Sequence, residues 1–324
     1  MKYTWTTPLV ATALAFSAGI ACAAETYPSK PIRWIVPYAV GGGSDFLART
    51  IGARLSEIVK QPVVVDNKPG GNTAIGAVET ARAAPDGYTV LSADNGTLVF
   101  NPALYKNLSY DPARDLAPVT LMGKFPMILI VGPNTDFKDA KDFIAKVKSQ
   151  PGKYSYASAG AGSPHHLAME LLKERTGMRM LHIAYRGAAP ALVDVAGGQL
   201  PAMMTDLAAG NAFIKGGKVR PLAVANPTRL AQLPDVPTFA ELGIQDVEAS
   251  AQVGMVVPAN TPPNVIAELQ KHVAAAIKTP EVHNKLVDFG IEPVGSTPQD
   301  YAELIKRESA LWQKLIRDLK ITLD

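Results

Sequence analysis

Residues 33 to 49 read RWIVPYAVGGGSDFLAR, Arg33 to Arg49. Ile32 to Pro37 has the apolar, β-branched character of a buried strand. Gly41, Gly42 and Gly43 make a turn after it. Ser44 is placed as the polar cap of an amphipathic helix over 44–60. The first N–H groups of a helix have no partner inside it, and its dipole puts partial positive charge there. Glycines let a ligand approach that backbone closely. The unit is either an ordinary strand-to-helix turn or an anion site, and this stretch alone leaves both open.

Outward from it, the chain keeps alternating. Val63 to Asp66 reads as a short strand, Asn67 to Asn72 as a turn-rich loop, and Thr73 to Ala83 as a helix. Tyr88 to Ala93 is a buried strand, with Asp94 to Thr97 as a polar loop. Met127 to Val131 is the next strand and Phe137 to Ser149 the next helix. Tyr154 to Ser158 then repeats the opening physics: a strand runs into Gly160 and Gly162, Ser163 caps a helix, and Pro164 takes its first position. That helix runs to about Arg175 and stops at Gly177. Strands follow at 181–184, 200–205 and 219–224, with a small-residue helix at 188–196. Pro227 to Gly243 is irregular, with a short helix near 238–242. Ala249 to Val257 is extended. Thr261-Pro262, Thr279-Pro280 and Thr297-Pro298 each predict a helix start.

Alternating strands and helices give an α/β protein of mostly parallel sheets covered on both faces. Ligands of such sheets sit outside the carboxyl ends of the strands, so loops 38–45, 67–73 and 94–97 should share one edge. Two glycine-loop units predict two similar lobes. The segment 249–257 returns the chain to the first, which makes lobe 1 discontinuous (25–124 plus 252–324) and lobe 2 an insertion (125–251), with a cleft between.

Residues 1–24 stand apart. Lys2, the apolar run Leu9 to Ile20 and the small-residue site Ala21-Cys22-Ala23 form a secretory signal peptide with cleavage near Ala23 and Ala24. Cys22 is the single cysteine. A lipid anchor there lacks the usual leucine three places ahead. Cleavage leaves a mature chain without disulfide, thiolate or cysteine metal site. The net charge of +3, carried by scattered Lys and Arg, argues against a nucleic-acid partner.

Catalytic sets are incomplete. Ser44, Ser158 and Ser163 have His165 and His166 in reach of the sequence, but no G-x-S-x-G elbow is present. Adjacent histidines on a helix point about 100° apart and cannot easily share one metal ion. Gly41 to Gly43 lacks dinucleotide spacing and no phosphate loop occurs, so no cofactor is expected. A binding reading uses more of the chain. The helix starts at Ser44 and Ser163 would face a shared cleft and suit an anion with carboxylates at both ends. Asn72, Thr73, Asn95 and Thr97 would add neutral hydrogen bonds. Arg186 is a candidate charge partner. Asp206 would accept from a ligand amine or hydroxyl, or anchor its loop. Tyr38 and Tyr185 would wall the cleft. His165 and His166, at a positive helix start, favour the neutral form and donation to a ligand oxygen.

The segments YPSKPIRWIVPYAVGGGSD, VDNKPGGNTAIGA, APDGYT, SAGAGSPHHLAMELL, AYRGAAPALVDVAGGQ and LPDVPTFAELG, in this order, resemble the tripartite tricarboxylate transporter substrate-binding family, also called the Bug family. The resemblance implies a periplasmic, two-lobed, type II "Venus flytrap" fold with a hinge of two crossing strands. It implies a non-enzyme, taken here as a monomer, that captures a small organic acid and hands it to membrane permease subunits. The acid would be a di- or tricarboxylate, or an aromatic acid such as terephthalate or nicotinate. The family's carboxylate loops map onto Tyr38, Val40, Gly42, Gly43, Ser44 and Asp45, and onto Ser158, Ala159, Gly160, Gly162, Ser163, His165 and His166. Ala39-Val40 stands where many relatives have proline. A secreted serine hydrolase using Ser163, and a sensory ligand-binding module, are the alternatives.

Overall fold

The computed structural model describes residues 1–3 and 27–324. The apolar run, Cys22 and the cleavage site of the expected signal peptide lie outside the described residues. In chain order the first part holds β1 (Ile32–Val36), α1 (Gly43–Val59), β2 (Val63–Asn67), a 3-10 turn (Gly71–Thr73), α2 (Ala74–Ala81), β3 (Thr89–Asp94), a π-helical turn (Gly96–Phe100), α3 (Asn101–Leu104), α4 (Pro112–Asp115) and β4 (Leu116–Val131). The second part holds α5 (Ala140–Ser149), β5 (Ser155–Ser158), α6 (Pro164–Thr176), β6 (Leu181–Ala184), α7 (Ala188–Ala196), β7 (Ala202–Asp206), α8 (Leu207–Lys215) and β8 (Arg220–Val224). The chain returns through β9 (Ser250–Pro258) and ends in α9 (Pro263–Lys278), α10 (Pro280–Asp288), β10 (Glu292–Pro293) and α11 (Pro298–Asp318).

The strands join into one sheet ordered β2-β1-β3-β9-β4-β7-β5-β6, with β8 and β10 added on β4. β1 pairs in parallel with β2 and β3, and β5 in parallel with β6 and β7. Parallel strands covered by helices on both faces are buried on both, which is why β1 shows no clean alternation: Ile32, Trp34, Ile35 and Val36 are all buried. Trp34 hides its N–H as well as its ring, and Ser92 Oγ accepts from it at 2.9 Å.

β4 and β9 are the two crossing strands. They pair antiparallel from Leu116↔Pro258 to Pro126↔Ser250. β4 then continues into pairs with β7 and β8. Its register places the cleft. The carboxyl end of β3, Asp94, lies opposite Val253, itself opposite Gly123 of β4. The carboxyl end of β7, Asp206, lies opposite Met127. β3 runs along β4 toward Met127 and β7 runs back toward Gly123, so the two carboxyl edges point at each other. Along β4 they are offset by four residues, about 13 Å, and β9 and β4 lie between the two strands.

Several sequence expectations are corrected. Ser44 is not the cap of α1: Gly42 is, with extended φ −81 and ψ 172, and the helix begins at Gly43. Asp94 to Thr97 is not a loop, because the chain turns directly from β3 into the π-helical turn. The strand at 127–131 is only the end of a 16-residue strand. α8 was not expected, residues 238–242 form turns, and the cap of α9 is Pro262 rather than Thr261. Thr297 does cap α11, its Oγ1 accepting from Asp300 N–H at 3.1 Å. Among the described residues no helix is long and apolar enough to cross a membrane.

Candidate binding cleft

On the first edge, the start of α1 carries no side-chain cap, so its leading N–H groups stay open. The glycine turn is braced by Asp45. That carboxylate is buried and accepts from Gly41 N–H (2.9 Å), Arg49 Nε (2.9 Å) and Asn67 Nδ2 (2.9 Å). Burial pulls its acidity toward the neutral form. The bonds from Arg49, Gly41 and Asn67 outweigh that and hold it below the usual carboxylate range. Asp45 therefore shapes the loop from behind. Asn67 also donates to Tyr38 O at 3.0 Å, which fixes the other limb. Gly43 lets the Phe125 ring sit against the backbone: a Cβ there would lie 2.8 Å from Phe125 Cε1 and the ring would have to shift.

The polar residues expected around this edge are spent mostly on one another. Tyr38 donates to Asp94, and burial pushes its phenol well up. Thr97 Oγ1 bridges Asp94 Oδ1 (2.9 Å) and Thr73 Oγ1 (2.8 Å), and Thr97 and Thr73 are buried. Asn72 Nδ2 donates to Asn101 Oδ1 at 2.8 Å. Asn95 donates to Ser250 O (2.9 Å) and accepts from Gln252 N–H (3.3 Å), which ties β3 to the crossing strand. Val40 stands exposed on the rim. Ser44 differs from all of these: its Oγ is buried and has no hydrogen-bond partner.

On the second edge, Gly160 and Gly162 have φ +141 and +75, in the region that favours glycine. Ser158 is fully buried, its Oγ accepting from Gly160 N–H (3.1 Å) and lying 2.7 Å from His182 Nε2. Ser163 caps α6 as expected, accepting from His166 N–H (3.2 Å), and its hydroxyl donates to Gly160 O (2.7 Å). No histidine ring bonds Ser163, so the arrangement a serine nucleophile needs does not form there. His166 turns inward. Its Nδ1 accepts from Gly162 N–H at 3.0 Å, so the ring is neutral with its proton on Nε2. Burial, then His182 and Lys173, push it down to about 3. His182 stacks on it with centroids 3.8 Å apart and is pushed down to about 4, chiefly by burial.

Behind them, Lys173 Nζ (2.5 Å) and the Tyr156 hydroxyl both donate to Glu170. His182, Tyr156, Glu170 and Lys173 were missing from the sequence reading. The spacing of Glu170 one helical turn after His166, and of Lys173 one turn after Glu170, was a signal for those two; His182 and Tyr156 lie on the strands β6 and β5 and carried none. Ala159 O accepts from Gly187 N–H at 3.0 Å. Tyr185 donates to Asp194 at 2.5 Å and is pushed up to about 12 by burial and by Asp194. Arg186 is exposed and makes no ion pair among the described residues.

His165 points the other way from His166. Its Nε2 lies 2.9 Å from Asp206 Oδ2, while Asp206 Oδ1 accepts from Ala209 N–H (2.9 Å) and so caps α8. Burial pushes the Asp206 carboxyl toward its neutral form, and the His165 bond outweighs that and keeps the carboxylate ionised. His165 Nδ1 is buried without a partner. Three side-chain atoms among the described residues share that state, and the third, Arg54 Nε, sits farther along α1 in a side chain ion-paired to Glu57. Ser44 and His165 are each the second residue of the helix at its edge. Gly43 packs on Phe125, Met127 pairs with Asp206, and Asp206 holds His165, so one short path of contacts joins them. The edges also meet at Gly162, where a Cβ would lie 2.7 Å from Leu104 and 3.3 Å from Asn72. No group of side chains among the described residues is arranged to hold a metal ion.

The family model described as "Tripartite tricarboxylate transporter family receptor" matches residues 47–321. The chain belongs to that receptor family. This tricarboxylate-transporter receptor is 35% identical over 305 residues to BugT of Bordetella pertussis, covering 93% of this chain and 94% of that one. Among solved structures it resembles Rpa4515 of R. palustris, determined with adipate (TM-score 0.85, 33% identity, 92% of this chain and 100% of that one). It also resembles MatC of Rhodopseudomonas palustris, determined with malate (TM-score 0.81, 29% identity, 90% of this chain and 100% of that one). The receptor thus has the two-lobed periplasmic-binding-protein fold expected from its motifs.

Proposed function

We propose that this receptor captures an organic dicarboxylate between the starts of α1 and α6 and delivers it, in the periplasm and as a monomer, to the permease of a tripartite transporter. One observation carries the reading: Ser44 Oγ and His165 Nδ1, on facing edges, are buried polar atoms with nothing to bond. Buried polar groups are otherwise paired, so an unpaired one on each wall marks where a polar ligand belongs. The open N–H groups at Gly42, Gly43 and Ser44 supply the charge preference on one side, and the start of α6 supplies it on the other. Hydrogen bonds to an ionised carboxylate are worth about 1.5–3 kcal/mol each. Asp45, Thr73, Thr97, Asn95, Ser158 and His166 act in this reading as braces that hold the two glycine loops in shape. Tyr38, Asn72 and Tyr185 wall the cleft, and Arg186 guards its mouth. The lobes are residues 25–124 with 252–324, and residues 125–251, closing about β4 and β9. Adipate and malate, found in relatives, make linear dicarboxylates the first class to try; terephthalate and nicotinate come next.

A melting-point screen of the mature protein, refolded from denaturant to strip any resident acid, tests this. A ligand at one hundred times its Kd adds about 2.7 kcal/mol to stability. A rise confined to carboxylates supports the reading. A flat response to aliphatic and aromatic mono-, di- and tricarboxylates would remove it.

A further inference from the structure

His165 and Asp206 form a pair whose chemistry restricts how a carboxylate can bind beside them. Asp206 is ionised and can only accept, so the imidazole nitrogen facing it at 2.9 Å carries a hydrogen. In the neutral ring the other nitrogen, Nδ1, is then a bare lone pair. A carboxylate oxygen set against that lone pair meets acceptor with acceptor, and beside it the uncompensated charge of Asp206. Protonating Nδ1 reverses both: the pair becomes net neutral and offers an N–H donor. We infer that a ligand carboxylate seated at the start of α6 binds together with one proton, taken from solvent onto His165 Nδ1. The order along the site is then Asp206 carboxylate, imidazolium, ligand carboxylate. This deepens the receptor reading and rests on it.

The surroundings permit that charge. The partial positive charge of the α6 start opposes it, amounting to about half an elementary charge. The full negative charge of Asp206 is nearer and favours it, and the arriving carboxylate adds a second. The neighbouring segments bring no competitor. Phe125 to Met127 on β4, Ser250 to Val253 on β9 and Leu207 to Gly210 on α8 hold no ionisable side chain. His166 and Glu170 on the same helix engage Gly162, Tyr156 and Lys173 instead. On the lobe-1 edge, Asp45 is committed to Arg49, Gly41 and Asn67, and Asp94 to Tyr38 and Thr97. Arg186 is exposed.

Titration calorimetry in buffers of different ionisation heat counts the protons taken up. With adipate and malate as probes between about pH 6.5 and about 9.5, above their own titration, wild type should take up close to one proton per acid at the alkaline end. Its affinity there should fall about tenfold per pH unit. His165→Gln keeps an amide toward Asp206 but has no group at Nδ1, and its affinity should be weaker and flat with pH. Asp206→Asn should move the wild-type pH curve toward acid. Binding with no proton uptake, or the same uptake in His165→Gln, overturns the inference and leaves the receptor reading standing. Failure of both probes and of every other carboxylate overturns the two together.

Discussion

The neutrality of His166 can be tested through stability. Its Nδ1 must stay unprotonated to accept from Gly162 N–H, and burial pushes its folded value down to about 3 from an ordinary 6.5. A histidine depressed in this way binds fewer protons folded than unfolded between those two values. The fold therefore loses stability as pH falls below 6.5, and the loss stops growing only near 3. From about pH 7 to about pH 5, the unfolded ring gains nearly all its proton and the folded ring almost none. The window below 6.5 spans about 1.5 units at about 1.36 kcal/mol each, so His166 should take about 2 kcal/mol with it. The figure hardly depends on the folded value, because any value near 3 lies far below the window. His166→Asn replaces Nδ1 by a side-chain oxygen that can accept from Gly162 and cannot titrate. Urea unfolding of both proteins at the two pH values isolates the ring once the same comparison is made in a His182→Asn background, because His182 stacks on it and titrates in the same window. The wild type should lose about 2 kcal/mol more than the variant over that interval. Equal losses would show that His166 is not the buried neutral acceptor described.

Three further outcomes follow from the geometry. Ser44→Ala removes a buried hydroxyl without a partner, so melting of the ligand-free protein should stay level or rise by up to about 1 kcal/mol, while calorimetric affinity for the captured acid falls about tenfold or more; unchanged affinity would place the ligand elsewhere. Gly254→Ala puts a Cβ 2.3 Å from the buried ring of Tyr301, and urea unfolding should show a loss of about 1–3 kcal/mol or more; a change within about 0.5 kcal/mol would contradict the packing of α11 on β9. Asp45→Ala strips the acceptor from Gly41, Arg49 and Asn67, and should cost about 2–3 kcal/mol together with ligand affinity, whereas affinity unchanged would deny that this carboxylate shapes the first loop.

Much of this was legible in the sequence because the strong signals are local. The glycine turns, the Ser163-Pro164 cap and the alternation of strands with helices all emerge where their residues predict. What was hidden depends on contacts between distant segments. The first half of β4 carries Pro118 and Gly123, and its register against β9 shifts between Pro118 and Thr120 and again between Leu121 and Gly123, so no period of two survives. The turn after β3 looked like a loop because Asp94, Asn95 and Thr97 are polar, yet each is buried and bonded to a partner elsewhere in the chain. α8 carries Gly210 and Asn211, poor helix formers, in its middle, and the Asp206 cap and packing hold it. At the proposed cleft, residue type singled out two glycine loops but could not divide braces from open groups. Ser44 and Ser163 look alike in sequence. Only the fold shows one hydroxyl bonded at both sides and the other bonded to nothing.

The most direct test of the carboxylate clamp is a crystal structure of the stripped protein with the dicarboxylate that raises its melting point most. The account predicts one carboxylate within hydrogen-bond distance of Ser44 Oγ and the Gly43 and Ser44 N–H groups, and the other at the start of α6 beside His165 Nδ1. An acid seated instead in the groove of about 450 Å³ between α1 and α10, against Arg54 and Lys285, with the cleft left to water, would contradict it.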